Sequence, residues 1–217
     1  GISILLYGMA VNEIKVVQEI LQLHNDRKSS LLAWRFPKEG VVEVGIPGHS
    51  TCLYGAMCFA SPEIVTVLLE AGADVRIADV MDNDPFMAAC GMGRLDNVEM
   101  WCSRFKDWKI DTRNQKFGST ALNIALYMGP RKLDLVKYLV RESHVQISIC
   151  IKQQFFDIKH TNTPHNNMPQ VRDKRANIQI STKNGSSALI LACGNEDCDP
   201  KVVRYLLHCG VNVHRNI

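Results

Sequence analysis

Apolar positions along the chain come in paired short clusters at helical spacing, with polar turns between them. Gly118-Ser-Thr-Ala-Leu-Asn-Ile-Ala-Leu126 precedes Leu135-Val-Lys-Tyr-Leu-Val140, and Gly185-Ser-Ser-Ala-Leu-Ile-Leu-Ala-Cys193 precedes Val202-Val-Arg-Tyr-Leu-Leu207. Each pair predicts a short helix, a turn and a second apolar helix. The first members share the pattern Gly-x-Thr/Ser-Ala-Leu-x-x-Ala. A third pair sets Ser50-Thr51-Cys52-Leu53 before Ile64-Val-Thr-Val-Leu-Leu-Glu-Ala-Gly-Ala-Asp-Val75. A fourth begins at Asp82-Asn-Asp-Pro-Phe-Met-Ala-Ala-Cys90 and runs on through Gly93-Arg-Leu-Asp-Asn-Val98. A fifth, more degenerate, opens the chain with Gly1-Ile-Ser-Ile-Leu5, then Ile14-Lys-Val-Val17 and Ile20-Leu21.

Taking the opening glycine position as the marker, the units begin at 1, 49, 82, 118 and 185, in steps of 48, 33, 36 and 67. A recurring step near 33 residues, with two longer ones that need insertions, is the mark of a stacked repeat array. The opening and closing strings resemble the ankyrin repeat, whose units begin Gly-x-Thr-Pro-Leu-His-x-Ala-Ala and end Val-Val-x-Leu-Leu-Leu-x-x-Gly-Ala-Asp-Val. The resemblance implies an all-α ankyrin-repeat solenoid of stacked helix-turn-helix units with β-hairpin or loop connections. Residues 1–217 are expected to form a single domain, with repeats at about 1–23, 48–79, 80–111, 116–147 and 183–217. The insertions are expected at about 24–47 and 146–183.

Local chemistry fits this register. Ser61-Pro62 and Asp199-Pro200 each set a capping side chain before a proline suited to the first turn of a second helix. Gly72 and Gly210 follow second helices, where a left-handed residue is wanted. The third second helix has Phe105 there instead, and is expected to end differently around Phe105 to Trp108. Ala56, Ala88 or Ala89, Ala125 and Ala192 recur on the first helices, where a larger side chain would overpack. Leu53, Phe86, Leu122 and Leu189 are expected in the shared core, and Trp34, Trp101 and Trp108 are read as packing residues.

Composition excludes some classes. Apolar residues are 46% and charged residues 22% of the chain, so a packed core is expected rather than disorder. No apolar run reaches the roughly 18 residues that span a bilayer, and no secretory signal opens the chain. A soluble, intracellular chain follows as the expectation, cytoplasmic rather than nuclear, monomeric and without membrane insertion. The eight cysteines lack a paired motif and read as reduced, mostly buried thiols. The absence of an initiator Met suggests a fragment of something longer.

What the ankyrin family implies for function is a concave surface, made of hairpin tips and exposed first-helix positions, that binds other proteins. Carried over by register, those positions are Cys58, Phe59, Val80, Met81, Asn83, Gly91, Met92, Lys116, Phe117, Ser119, Tyr127, Met128, Lys183, Asn184, Ser186, Gly194 and Asn195. From them, Phe59, Met81, Met92, Lys116, Phe117, Tyr127, Met128 and Asn195 form the expected partner-binding set. A stripe of aromatics and methionines on one groove would mark a protein partner's site, because monomers seldom leave large apolar patches in water. The alternative is that several of these side chains turn inward and complete the core.

The 146–183 insertion carries Lys152, Lys159, Arg172, Lys174, Arg175 and Lys183 against Asp157 and Asp173, a net +4 where the whole chain is +3. Its centre is polar and proline-interrupted, while Val145 to Phe156 and Ile178 to Ile180 are β-branched enough to pair as an extended hairpin. Val41-Val-Glu-Val44 offers a second hairpin arm.

The chemistry-bearing residues are sparse. Cys193, Cys198, His208 and Cys209 lack the paired spacing of a zinc site, and Cys193 and Cys209 read as small apolar fillers. Gly91-Met-Gly93 has no following Lys-Ser/Thr to make a phosphate loop. No cofactor and no metal is expected. The sequence thus points to a non-catalytic protein–protein interaction module, a scaffold or adaptor, whose protein partner it does not identify. Two alternatives stand beside it: a regulatory or targeting segment of a larger enzyme or channel, and nucleic-acid contact through the basic insertion.

Overall fold

In the computed structural model, residues 2–40, 46–128, 130, 133–140, 176–194 and 199–213 are described. They hold eleven α-helices: α1 (Ile2–Ala10), α2 (Ile14–Leu23), α3 (Lys28–Ala33), α4 (Cys52–Phe59), α5 (Pro62–Glu70), α6 (Pro85–Gly91), α7 (Leu95–Arg104), α8 (Ala121–Tyr127), α9 (Leu133–Val140), α10 (Ala188–Cys193) and α11 (Pro200–His208). Among the described residues there is no strand, only one isolated antiparallel bridge, Arg35 to Thr51.

Five helix pairs stack in two layers. The first helices form one layer in the order α1, α4, α6, α8, α10, and the second helices form the other in the order α2, α5, α7, α9, α11. Each first helix touches its own second helix and the first helices on either side. That explains the alanines: Ala56, Ala89, Ala125 and Ala192 are almost wholly buried between neighbouring first helices, where a longer side chain would force them apart. Leu53, Phe86 and Leu122 are buried in the core as expected. Leu189 differs, being only partly buried, because α10 has no further first helix on its outer side among the described residues.

The turn into α4, α6, α8 and α10 repeats. A residue with positive φ stands three positions before the first helical residue: His49, Asp82, Gly118 and Gly185. Two residues later comes the N-cap. Thr51, Asp84, Thr120 and Ser187 each accept a hydrogen bond from the backbone N–H three residues on. Glycine meets the left-handed geometry at no steric cost in two units, and His49 and Asp82 adopt it in the others, which is why the marker is degenerate. At Gly118 space is also short, since a Cβ would lie 2.9 Å from Lys183 Cγ.

The second helices begin and end less uniformly. Asp199 caps α11 through Lys201 N–H at 2.8 Å. Ser61, expected to do the same for α5, makes no capping bond; its hydroxyl instead engages the Glu63 carboxylate and lowers that group's pKa. Gly72 and Gly210 take φ of +95° and +79°, and the N–H of Ala73 and Val211 then reaches back to Leu68 O and Leu206 O. α7 ends at Phe105 with φ of −105°, avoiding the left-handed region. There Trp101, Phe105, Trp108 and Phe86 pack as one aromatic cluster, Trp101 and Trp108 edge to face at 5.1 Å. Trp34 packs edge-on against Phe36 at 4.9 Å.

The bond that closes α9 is made across the insertion. Ala176 N–H donates to Leu139 O at 2.8 Å, as Ala73 does to Leu68 and Val211 to Leu206. Ile178 to Ile180, read from sequence as part of an extended hairpin, instead form a turn. Asn177 Oδ1 accepts from Gln179 N–H at 2.9 Å, as Asp74 does from Arg76 at 2.8 Å. An Asx turn at this step outweighs the β-branched composition. Val41–Val44 and Val145–Phe156 lie outside the described residues.

Units are also joined through polar side chains on the second-helix layer. Asn97, fully buried on α7, donates through Nδ2 to Met57 O at 3.1 Å and Ala60 O at 3.0 Å, with Ala56 O at 3.5 Å. Arg94 adds bonds to Cys58 O at 3.2 Å and Ala60 O at 2.7 Å while paired with Asp96. The open carbonyls at the end of α4 are thus capped from the next unit. Asn97→Ala is expected to destabilise the chain by about 1–3 kcal/mol in urea unfolding, because buried carbonyls lose their donor. Asn97→Asp should cost at least as much, since a second acceptor then faces those carbonyls.

Candidate partner-binding groove

Across α4, α6 and α8, on the side away from the second helices, the hairpin loops rise to one side and leave a cavity of about 450 Å³. Met81, Met92, Phe117, Tyr127 and Met128 all line it. Met92 and Phe117 are about 40% exposed, and Tyr127 and Met128 over 60%. Lys116 stands on the rim, its Nζ 5.7 Å from the centre of the Phe117 ring and 3.3 Å from Met81 Sδ. Phe59 is exposed but does not line the cavity. Asn195 lies outside the described residues. Of the other register positions, Cys58, Asn83 and Gly91 are buried and contribute to the floor and walls.

The floor is polar and bonded. Asp79 Oδ1 accepts from the N–H of Met81 and of Asn83, both at 2.8 Å. Asp79 Oδ2 accepts from Tyr54 Oη at 2.8 Å and Asn83 Nδ2 at 3.3 Å. Four donors fill the capacity of this carboxylate. Asn83 Oδ1 accepts in turn from Asn114 Nδ2 at 2.8 Å, and Asn114 Oδ1 takes the N–H of Phe117 and Ser119. Asp79, Asn114 and Thr182 do one job in successive hairpins, each holding a backbone N–H across its own tip. Phe117 is therefore presented by a loop that its own unit and its neighbour both fix, Lys183 N–H bonding Phe117 O at 2.8 Å.

Sequence reasoning missed Tyr54, Met87 and Asn123, which line the cavity one step after the core positions Leu53, Phe86 and Leu122. A signal existed: that step holds Tyr, Met, Asn and Ile in the four units, flanked on both sides by the repeated residues. Asp79 and Asn114 were also missed: each holds a backbone N–H of its own hairpin, which is local, but the bonds that join them to Tyr54 and Asn83 span 25 and 31 residues.

Burial pushes the Cys58 and Cys52 thiols up to about 12 and raises Cys90 well above its ordinary value, so none supplies a thiolate near neutral pH. Burial, then the Asp79 carboxylate, also raises the Tyr54 phenol. Cys193, expected as a core filler, is exposed at the end of α10, and Cys209 is half-buried; among the described residues no further helix pair packs on their outer side. Cys150 and Cys198 lie outside the described residues.

Residues 52–153 match the family described as ankyrin repeats in three copies, and residues 184–216 match a further ankyrin repeat. The chain belongs to the ankyrin-repeat family. The ankyrin array resembles the crystal structure of EF0377, an ankyrin-repeat protein, at TM-score 0.56 and 20% identity over 98% of this chain and 83% of that one. It also resembles the ankyrin repeat domain of Bcl-3, a member of the IkappaB protein family, at TM-score 0.54 and 16% identity over 96% and 86%. At these identities the likeness shows the fold. No curated protein matches this sequence. No helix among the described residues is long and apolar enough to cross a membrane.

Asp84 is the one ionisable N-cap of the ankyrin first helices α4, α6, α8 and α10. Burial raises its carboxyl to about 6; the Met87 and Phe86 N–H groups oppose this, and nearby Asp82 and Asp79 reinforce it. The folded chain thus keeps a proton that the unfolded chain has already released. The stability this confers is full below the ordinary carboxylate range and is lost as pH rises through about 6. Asp84→Asn retains the capping oxygen and removes the buried charge. It is expected to stabilise the protein on the order of 2 kcal/mol at about pH 7.5 and to change nothing at about pH 4. Thermal melts at both pH values check this, and equal shifts would count against it.

Proposed function

We propose that this ankyrin array is a non-catalytic interaction module, a scaffold or adaptor, that receives a protein partner in the groove across α4, α6 and α8. The observation that carries the reading is the convergence of Met92, Phe117, Tyr127 and Met128 on one cavity while they remain exposed. Large apolar side chains gathered in water are costly, and a partner's apolar surface offsets that cost. Aromatic anchors give area with few torsions to freeze, and methionines adapt to the surface they meet. The hydrogen-bonded floor supports the same reading, since a rigid cavity loses little entropy on binding.

Phe117→Ala, Tyr127→Ala and Met128→Ala, combined, should abolish cross-linked capture of specific cellular proteins. The melting temperature should move by no more than surface substitutions do, about 0.5 kcal/mol each in stability terms. Undiminished capture, or a loss of several kcal/mol showing that the side chains are core, would remove the basis for the groove.

A further inference from the structure

We infer that the segment this groove takes is apolar and acidic: a run of apolar residues over the cavity with a carboxylate beside it, at the hairpin edge. The inference rests on the groove reading above and adds the chemistry of the occupant. It follows from where charge is exposed and where it is already satisfied.

Two cations flank Phe117 on the hairpin rim. Lys116 lies over the Phe117 ring with its Nζ near Met81 Sδ, a weak acceptor that leaves the charge uncompensated. Lys183 bonds Phe117 O through its backbone N–H and reaches Gln115 O through Nζ. Neither has a carboxylate within ion-pairing distance among the described residues. The carboxylates nearby are occupied. Asp79 is buried and takes four donors, Asp84 caps α6, and Asp82 accepts the Gln115 N–H. A basic partner would find Asp79 shielded and both lysines opposing it. An acidic one would find two ammonium groups beside an apolar wall that lowers the local dielectric and strengthens their pull.

The test is selection of displayed random dodecapeptides on the immobilised full chain. Recovered peptides are then measured by fluorescence polarisation against wild type, the groove variant Phe117→Ala/Tyr127→Ala/Met128→Ala, and the charge reversal Lys116→Glu/Lys183→Glu. Expected are groove-dependent peptides with Asp or Glu next to an apolar run, whose affinity falls about tenfold on charge reversal and weakens as salt rises. Groove-dependent peptides without acidic enrichment, with basic enrichment, or indifferent to the charge reversal would overturn this inference and leave the groove reading standing. Failure to recover any peptide that depends on Phe117, Tyr127 and Met128 would overturn both.

Discussion

The first helices of this array approach one another across alanines, and the approach is tight because nothing larger intervenes. Ala56, Ala89, Ala125 and Ala192 are almost wholly buried, and around them Leu53, Phe86 and Leu122 fill the space between units. A helix as short as α6 or α8 is marginal on its own in water, so its stability comes from neighbours on both sides. The groove depends on the same contact. Closely spaced first helices bring successive hairpins near enough for Lys183 N–H to reach Phe117 O and Val80 N–H to reach Gly48 O.

Polar side chains then hold neighbouring units together in both layers. On the second-helix side Asn97 and Arg94 cap the carbonyls that end α4. On the groove side Tyr54, Asp79, Asn83 and Asn114 pass hydrogen bonds from one unit into the next. Buried polar groups are costly when unpaired, so the bonded run from Tyr54 through Asp79 and Asn83 to Asn114 restricts the units to one relative placement. That restriction is what makes a groove assembled from separate hairpins a single surface.

Much of the local architecture could be read before any coordinates. The cap at Asp199 and the helix ends at Gly72 and Gly210 follow from a side chain and the residues within one turn of it, whereas the first-helix caps Thr51, Asp84, Thr120 and Ser187 enter the sequence reading only as part of the repeated opening string. Readings failed where a competing local bond or a missing neighbour decided the outcome. Ser61 turned to Glu63 instead of the helix end, Asn177 imposed a turn on a β-branched stretch, and Cys193 has no further helix pair packed over it among the described residues.

The sequence by itself determined the repeat, its capping chemistry and the family, because each of these is encoded in spacing along the chain and in bonds a few residues long. Only the stacked structure decided that Met81, Met92, Phe117, Tyr127 and Met128 share one cavity while Phe59 stands apart. It alone set Tyr54 against Asp79 and closed α9 with Ala176. Those relations join residues from different units, and their geometry comes from how the units pack rather than from any local preference of the chain.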